Sequence, residues 1–178
     1  MAKKLEIERK YLLKRLPHGL KWDGVLHIFQ YYLPDGRRVR ETRNALVPSF
    51  YSDIIPFPFG RYVKYEVCIK KKLKAGVYEE DEKKITQKQF EKLKELATSS
   101  ISKTRHIFKM GKLKWEIDEY QRDINLVTAE IELKTEKTKF KMPKELQDVL
   151  IMDVTEFREF TNKSLADAYS QHKLYIKA

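Results

Sequence analysis

Carboxylates recur two residues apart in this chain: Glu6-Ile7-Glu8, Glu80-Asp81-Glu82, Glu116-Ile117-Asp118 and Glu130-Ile131-Glu132. Basic residues repeat with the same spacing, as Arg38 and Arg40 around Val39 and as Lys103 and Arg105 around Thr104. Residues two apart in a strand share a face, so each pair projects to one side of its strand. Glu6 and Glu8 continue into Lys10, while Lys64, Glu66, Cys68 and Lys70 share another face. Carboxylate pairs supply the oxygen donors that hard cations such as Mg²⁺ and Mn²⁺ prefer. Arg offers phosphate a forked donor and Lys a point charge. Facing inward, such rows build a wet cavity where a cation holds a polyphosphate and the basic groups neutralise its remaining oxygens. Facing water, they are merely the polar side of a sheet.

Two features favour the inward reading. The carboxylates concentrate on the first strand and on two late ones, and the basic pairs on the third strand and the start of the sixth, whereas surfaces shaped for solubility mix signs. The carboxylate pairs at 6–8 and 130–132 are also flanked by apolar residues.

Alternation places strands at 5–13, 26–33, 36–43, 62–71, 77–85, 103–110, 112–121 and 126–134. Pro34-Asp35-Gly36 and Met110-Gly111-Lys112 carry hairpin turn chemistry. Eight strands with short turns predict a mainly β fold, of the α+β kind, with an antiparallel sheet bent into a barrel. The helices are expected in TQKQFEKLKELA, with Thr86 as its cap, in MPKELQDVLI, with Pro143 in its first turn, and in NKSLADAYSQH. The last of these puts Leu165, Ala168, Tyr169 and His172 on one side. Residues 44–61, with three prolines and several aromatics, read as a long loop, a lid or a surface excursion.

The 178 residues fit one domain, taken as 1–178, and 42% hydrophobic residues suffice for a core. Lys and Arg total 37 against 26 Asp and Glu, and the net charge of +11 favours an anionic partner. The one cysteine, Cys68, has no partner for an intrachain disulfide, and no stretch of about 18 apolar residues is present. A cytoplasmic protein without membrane association is expected. His18, His27, His106 and His172 are scattered without ligand-like spacing and read as structural or surface residues. Cys68 reads as a small barrel-lining residue, and most aromatics fall on the outward parity, under the helices.

The series Glu6-Ile7-Glu8-Arg9-Lys10, QYYL at 30–33, RVR at 38–40, CIK ending at Lys70, the Glu80/Glu82 pair, KTR at 103–105, WEIDEY at 115–120, AEIEL at 129–133 and DVTEFREFTNKSLA at 153–166 resembles the CYTH, or triphosphate tunnel metalloenzyme, superfamily. The order and spacing match over nearly the whole chain. The resemblance implies an eight-stranded antiparallel β-barrel tunnel with flanking helices, an enzyme acting on triphosphate-containing small molecules with Mg²⁺ or Mn²⁺. By position it implies metal ligation by Glu6, Glu8, Glu130 and Glu132, with Asp118 a further ligand. It assigns Lys10, Arg38, Arg40, Lys70 and Arg105 to the triphosphate, and Glu80 and Glu82 to supporting the ligands or holding a second metal. Lys103, with Glu8 the expected catalytic pair, would activate or orient the attacking water.

Two departures stand out: Tyr78 occupies a place where the family often has Arg, and the 44–61 insertion is long. One phosphate contact is then either lost or supplied by Lys71, Lys72 or Lys84. The expected activity is an inorganic triphosphatase yielding pyrophosphate and phosphate. Still open are a class IV adenylyl cyclase, or a nucleoside, thiamine or RNA 5′-triphosphatase, of the same fold, RNA entering only as a 5′-triphosphate substrate. A non-catalytic binder of polyphosphate or RNA is the reading from another class. A monomer or homodimer is expected.

Overall fold

Every alternating segment becomes a strand. The structure, a computed structural model, describes residues 4–44, 62–120 and 125–176, with side chains to 171. Its strands are β1 (Lys4–Leu13), β2 (Gly24–Tyr32), β3 (Arg38–Asn44), β4 (Val63–Lys74), β5 (Val77–Lys84), β6 (Ser99–Met110), β7 (Leu113–Tyr120), β8 (Val127–Leu133) and β9 (Leu150–Asp153). All pairings among them are antiparallel. The hydrogen-bonded order runs β5-β4-β3-β2-β6-β7-β8-β1, and β1 pairs β5 again, closing an eight-stranded antiparallel barrel. Closure leaves these eight strands no long free edge.

On its β5 side, β1 is paired twice. Its first half meets β5, with Ile7 opposite Val77, and its last residues meet β9, with Tyr11 opposite Asp153. Between the two, the Glu8 amide donates to the Gly76 carbonyl at 2.8 Å. Gly76 has φ +65, and a Cβ there would lie 2.6 Å from the Glu8 carbonyl oxygen. Only glycine fits that conformation and that approach.

The apolar parity faces out and is roofed. Trp115, Ile117, Ala129 and Ile131 are fully buried beneath the 140–150 segment, which contributes Phe140, Leu146 and Val149. That segment corrects the helix expected over MPKELQDVLI. Only α2 (Lys144–Gln147) is helical there; Val149 then accepts from the Lys14 amide, and the chain extends into β9 along β1. The open β1 edge offers hydrogen bonds that a longer helix would forgo. Helix α1 (Gln87–Lys94) starts at a Thr86–Gln89 capping box, as its sequence predicts, and buries Phe90 against Tyr31 and Tyr65. Helix α3 (Asn162–Ile176) sets Leu165 and Ala166 against Tyr32, Ile101 and Tyr120. Those three share parity with the inward charged rows, so α3 covers one end of the barrel with an apolar plug. The 45–61 stretch, expected as a loop or lid, lies outside the described residues, as does the side chain of His172.

Candidate functional site

The charged parity faces in. A cavity of about 730 Å³ is lined by Glu6, Glu8, Lys10, Arg38, Arg40, Lys70, Glu80, Lys103, Arg105, Glu130 and Glu132. Of the residues singled out by sequence, Glu82 and Asp118 are absent from this lining.

Strand register builds the constellation. Lys10 lies opposite Glu130 and Glu8 opposite Glu132 across β1–β8, Lys70 opposite Glu80 across β4–β5, and Arg105 opposite Asp118 across β6–β7. Basic and acidic groups therefore interleave rather than form the separate acidic and basic walls that the sequence leads one to expect. Lys70 Nζ bridges Glu6 at 2.9 Å and Glu8 at 3.0 Å. Lys10 meets Glu130 at 2.9 Å, Arg38 meets Glu80 at 3.0 Å, and Arg40 meets Glu66 at 2.7 Å and Glu82 at 2.6 Å. Buried charges require such mutual compensation.

Asp118 lies behind the cavity wall. It is fully buried; Arg105 donates to it through Nε at 2.6 Å and Nη2 at 2.7 Å, and Lys103 donates as well. Arg105 also reaches Glu116, and Glu130 at 3.0 Å. Lys103 and Tyr120 converge on Asn162 at the start of α3, at 3.3 and 2.7 Å. Glu82 sits at a more open position between Arg40 and Lys64.

The electrostatics follow from burial and partners. Burial, reinforced by a shared hydrogen bond with Glu80, lifts the Glu6 carboxyl to about 7. Burial and the Glu130 charge also raise Glu8. Burial opposes ionisation of Glu130 too, yet Lys10, Lys103 and Arg105 hold it well below the usual carboxylate range. Glu80 is likewise depressed despite burial, to about 2, by its hydrogen bonds with Glu6 and Cys68 and by Arg38. Burial and the adjacent Arg105 guanidinium pull Lys103 down to about 8 against the pull of Asp118. Carboxylates held above their ordinary range in a shared cavity are groups whose ionisation a bound cation would favour.

Among the described residues, one trio of ligand-type atoms converges within 4.8 Å, from Cys68, Glu80 and Glu82. Arg38 and Arg40 neutralise its carboxylates, and burial pushes the Cys68 thiol up to about 12, so it presents a thiol rather than a thiolate.

Several cavity residues escaped the sequence assignment. Lys114, Glu116, Arg158 and Asn162 line it, as do Phe157 and Phe160. Parity alone aligns Lys114 with the inward rows; nothing in the irregular stretch 154–162 gave such a signal. Tyr78 lines the cavity with its ring 4.3 Å from Lys70 Nζ, a cation–π contact at the position where the sequence resemblance leads one to expect Arg. Lys72 lies in the lining; Lys71 and Lys84 do not. Arg38 Nε and Arg40 Nε are buried donors without partners.

No protein-family model and no curated protein matches this chain. Among solved structures, the PH1012 protein of Pyrococcus horikoshii OT3 aligns over 80% of this chain and 84% of its own, with 18% identity and a TM-score of 0.46. A candidate adenylate cyclase of Bacillus halodurans aligns over 77% of this chain and 84% of its own, with 13% identity and a TM-score of 0.47. The Schizosaccharomyces pombe Mediator head module gives 10% identity and a TM-score of 0.43, over 97% of this chain and 92% of the matched chain. At these identities and scores the likenesses carry no argument about chemistry. None of the described helices is long and apolar enough to cross a membrane.

Proposed function

We propose that this chain is a divalent-metal-dependent hydrolase of triphosphate compounds, with inorganic triphosphate its principal substrate. The observation carrying this reading is one cavity in which Lys10, Arg38, Arg40, Lys70 and Arg105 converge with Glu6, Glu8, Glu130 and Glu132. Carboxylates alone would repel a polyphosphate, and cations alone would need no such acid pairs.

Glu6, Glu8, Glu130 and Glu132 would hold Mg²⁺ or Mn²⁺, which when bound supplies neutralisation of phosphoryl oxygens. The donor type suits a hard cation, being all carboxylate oxygen, but no three of these four bring oxygens within 4.8 Å of one another, and Lys10, Lys70 and Arg105 pair with them. The buried Nε atoms of Arg38 and Arg40 donate to phosphate oxygens that supply the partners they lack. Lys10 and Lys70 exchange their carboxylate partners for phosphate as the substrate enters. Lys103 stands beside the phosphoryl group, where its ammonium stabilises developing charge and orients water. Catalysis on this reading is positioning and electrostatics, with no covalent nucleophile.

A second reading keeps the site and changes the substrate. Phe157 and Phe160 lie on the cavity lining with ring centroids 6.5 Å apart, and Tyr32 and Tyr78 join them. These rings would suit a base or thiamine ring carried on the triphosphate, as in a nucleotide hydrolase or an adenylyl cyclase. Turnover of inorganic triphosphate, ATP, thiamine triphosphate and 5′-triphosphorylated RNA with Mg²⁺ or Mn²⁺ separates the readings. Fastest phosphate release from inorganic triphosphate supports the first; cyclic AMP from ATP selects the cyclase; inertness toward all four overturns both.

A further inference from the structure

Gln30 lies midway along β2 with its side chain on the cavity lining, yet only 2% of the residue is exposed, and its Oε1 has no hydrogen-bond partner. A buried amide oxygen left unpaired costs about 1–3 kcal/mol, and native structures hold few of them. Where one lines a cavity, a donor on a bound molecule is its natural complement. Strand register fixes what surrounds it. Gln30 is directly opposite Arg40 on β3 and opposite Ile101 on β6, and Lys103 lies one inward position beyond Ile101. Gln30 is therefore a direct cross-strand neighbour of Arg40 and a diagonal neighbour of the buried Lys103.

A fully ionised triphosphate has no donor to offer Oε1, and its oxygens would repel it. Water has two. We propose that Gln30 accepts a hydrogen bond from the attacking water and aims its lone pair at the terminal phosphorus, a role that rests on the hydrolase reading above. An amide suits this task because it orients water without competing for a metal or repelling phosphate, as glutamines do in other phosphoryl-transfer sites. In the step, the water oxygen bonds to phosphorus while the bridging oxygen–phosphorus bond breaks. Its electron pair leaves on pyrophosphate, both water hydrogens remain on the new phosphate, and Gln30 is unchanged.

The test uses Gln30→Met, which keeps the length of the side chain and removes the acceptor, and Gln30→Glu, which keeps an acceptor at the same reach. Phosphate release from tripolyphosphate with Mg²⁺ gives kcat and KM, calorimetry gives tripolyphosphate affinity, and circular dichroism confirms folding. Gln30→Met is expected to lose about 10²-fold in kcat, within the range of positioned proton-handling groups. Its KM and binding affinity should stay within about threefold; Gln30→Glu keeps the acceptor but adds a charge that repels phosphate, so its tripolyphosphate affinity should fall while kcat at saturating substrate stays within about tenfold of wild type. If Gln30→Met does not fold, Gln30→Glu decides: a roughly 10²-fold loss of kcat at saturating tripolyphosphate overturns the proposal. An unchanged kcat in folded Gln30→Met, or a raised KM at constant kcat, overturns the role of Gln30 alone. A wild-type protein that turns over no triphosphate overturns the hydrolase reading and this role together.

Discussion

Replacing Asp118 by Ala removes the one carboxylate shared by two buried cations, Lys103 and Arg105. Arg105 keeps Glu116, and Glu130 at 3.0 Å, so its guanidinium stays compensated. Lys103, 1% exposed, then keeps the Asn162 side-chain oxygen at 3.3 Å as its hydrogen-bond acceptor among the described residues. Breaking a buried ion pair from one side costs about 3–5 kcal/mol. Loss of the Lys103 proton relieves part of that, because this ammonium is already held near 8, and the lower end, about 3 kcal/mol, is expected. For a chain of this size, each kcal/mol moves Tm by roughly 2–4 °C, which predicts a fall of about 6–12 °C at pH 7. Lys103→Met should cost much less, since Asp118 keeps both Arg105 contacts. Thermal melts followed by circular dichroism, in metal-free buffer and again with Mg²⁺, measure both variants. A fall below about 3 °C for Asp118→Ala would refute the counter-ion role. An unchanged metal-free Tm combined with loss of stabilisation by Mg²⁺ would instead make Asp118 a ligand.

Two further expectations follow from the same contacts. Glu6 is raised from its unfolded value near 4.5 to about 7, so the folded chain binds its proton more tightly; that contribution is full below about 4.5 and is lost as pH rises through about 7. In metal-free buffer the Tm of Glu6→Gln should therefore gain on wild type between pH 5 and 8, and a constant difference across that range would contradict the burial of this carboxyl. Gly76→Ala brings a Cβ to 2.6 Å from the Glu8 carbonyl oxygen at φ +65. A loss of roughly 1–3 kcal/mol is expected in denaturant melts, with weaker tripolyphosphate binding as β1 shifts at Glu8; a neutral effect on both would refute the tight β1–Gly76 contact.

The barrel was legible because period-two alternation needs only residue type, and turns such as Met110-Gly111-Lys112 mark where strands reverse. Parity then told which side chains share a face, and the inward rows of β1, β3, β6 and β8 emerge as read. Strand β9 was not legible: LIMD is four residues long and follows a helix-like run, and its partner is the part of β1 that β5 leaves unpaired. The early start of β6 at Ser99 was hidden because SSIS has no strong polar–apolar contrast. Parity also could not tell depth. Asp118 and Glu116 share a face, yet Asp118 is sealed by Lys103 and Arg105 while Glu116 lines the cavity. Nor could it tell pairing, since whether Lys70 meets Glu6 and Glu8 depends on barrel closure between β5 and β1. Asn162 and Gln30 gain meaning only from what stands next to them.

The most direct measurement is phosphate release from tripolyphosphate by the purified chain, wild type beside Glu8→Gln, with Mg²⁺ and again after chelation. The account predicts one phosphate and one pyrophosphate per substrate from the wild type with Mg²⁺, no release after chelation, and a collapse of release in a folded Glu8→Gln protein. Release that persists without metal, or that survives Glu8→Gln unchanged, would contradict it.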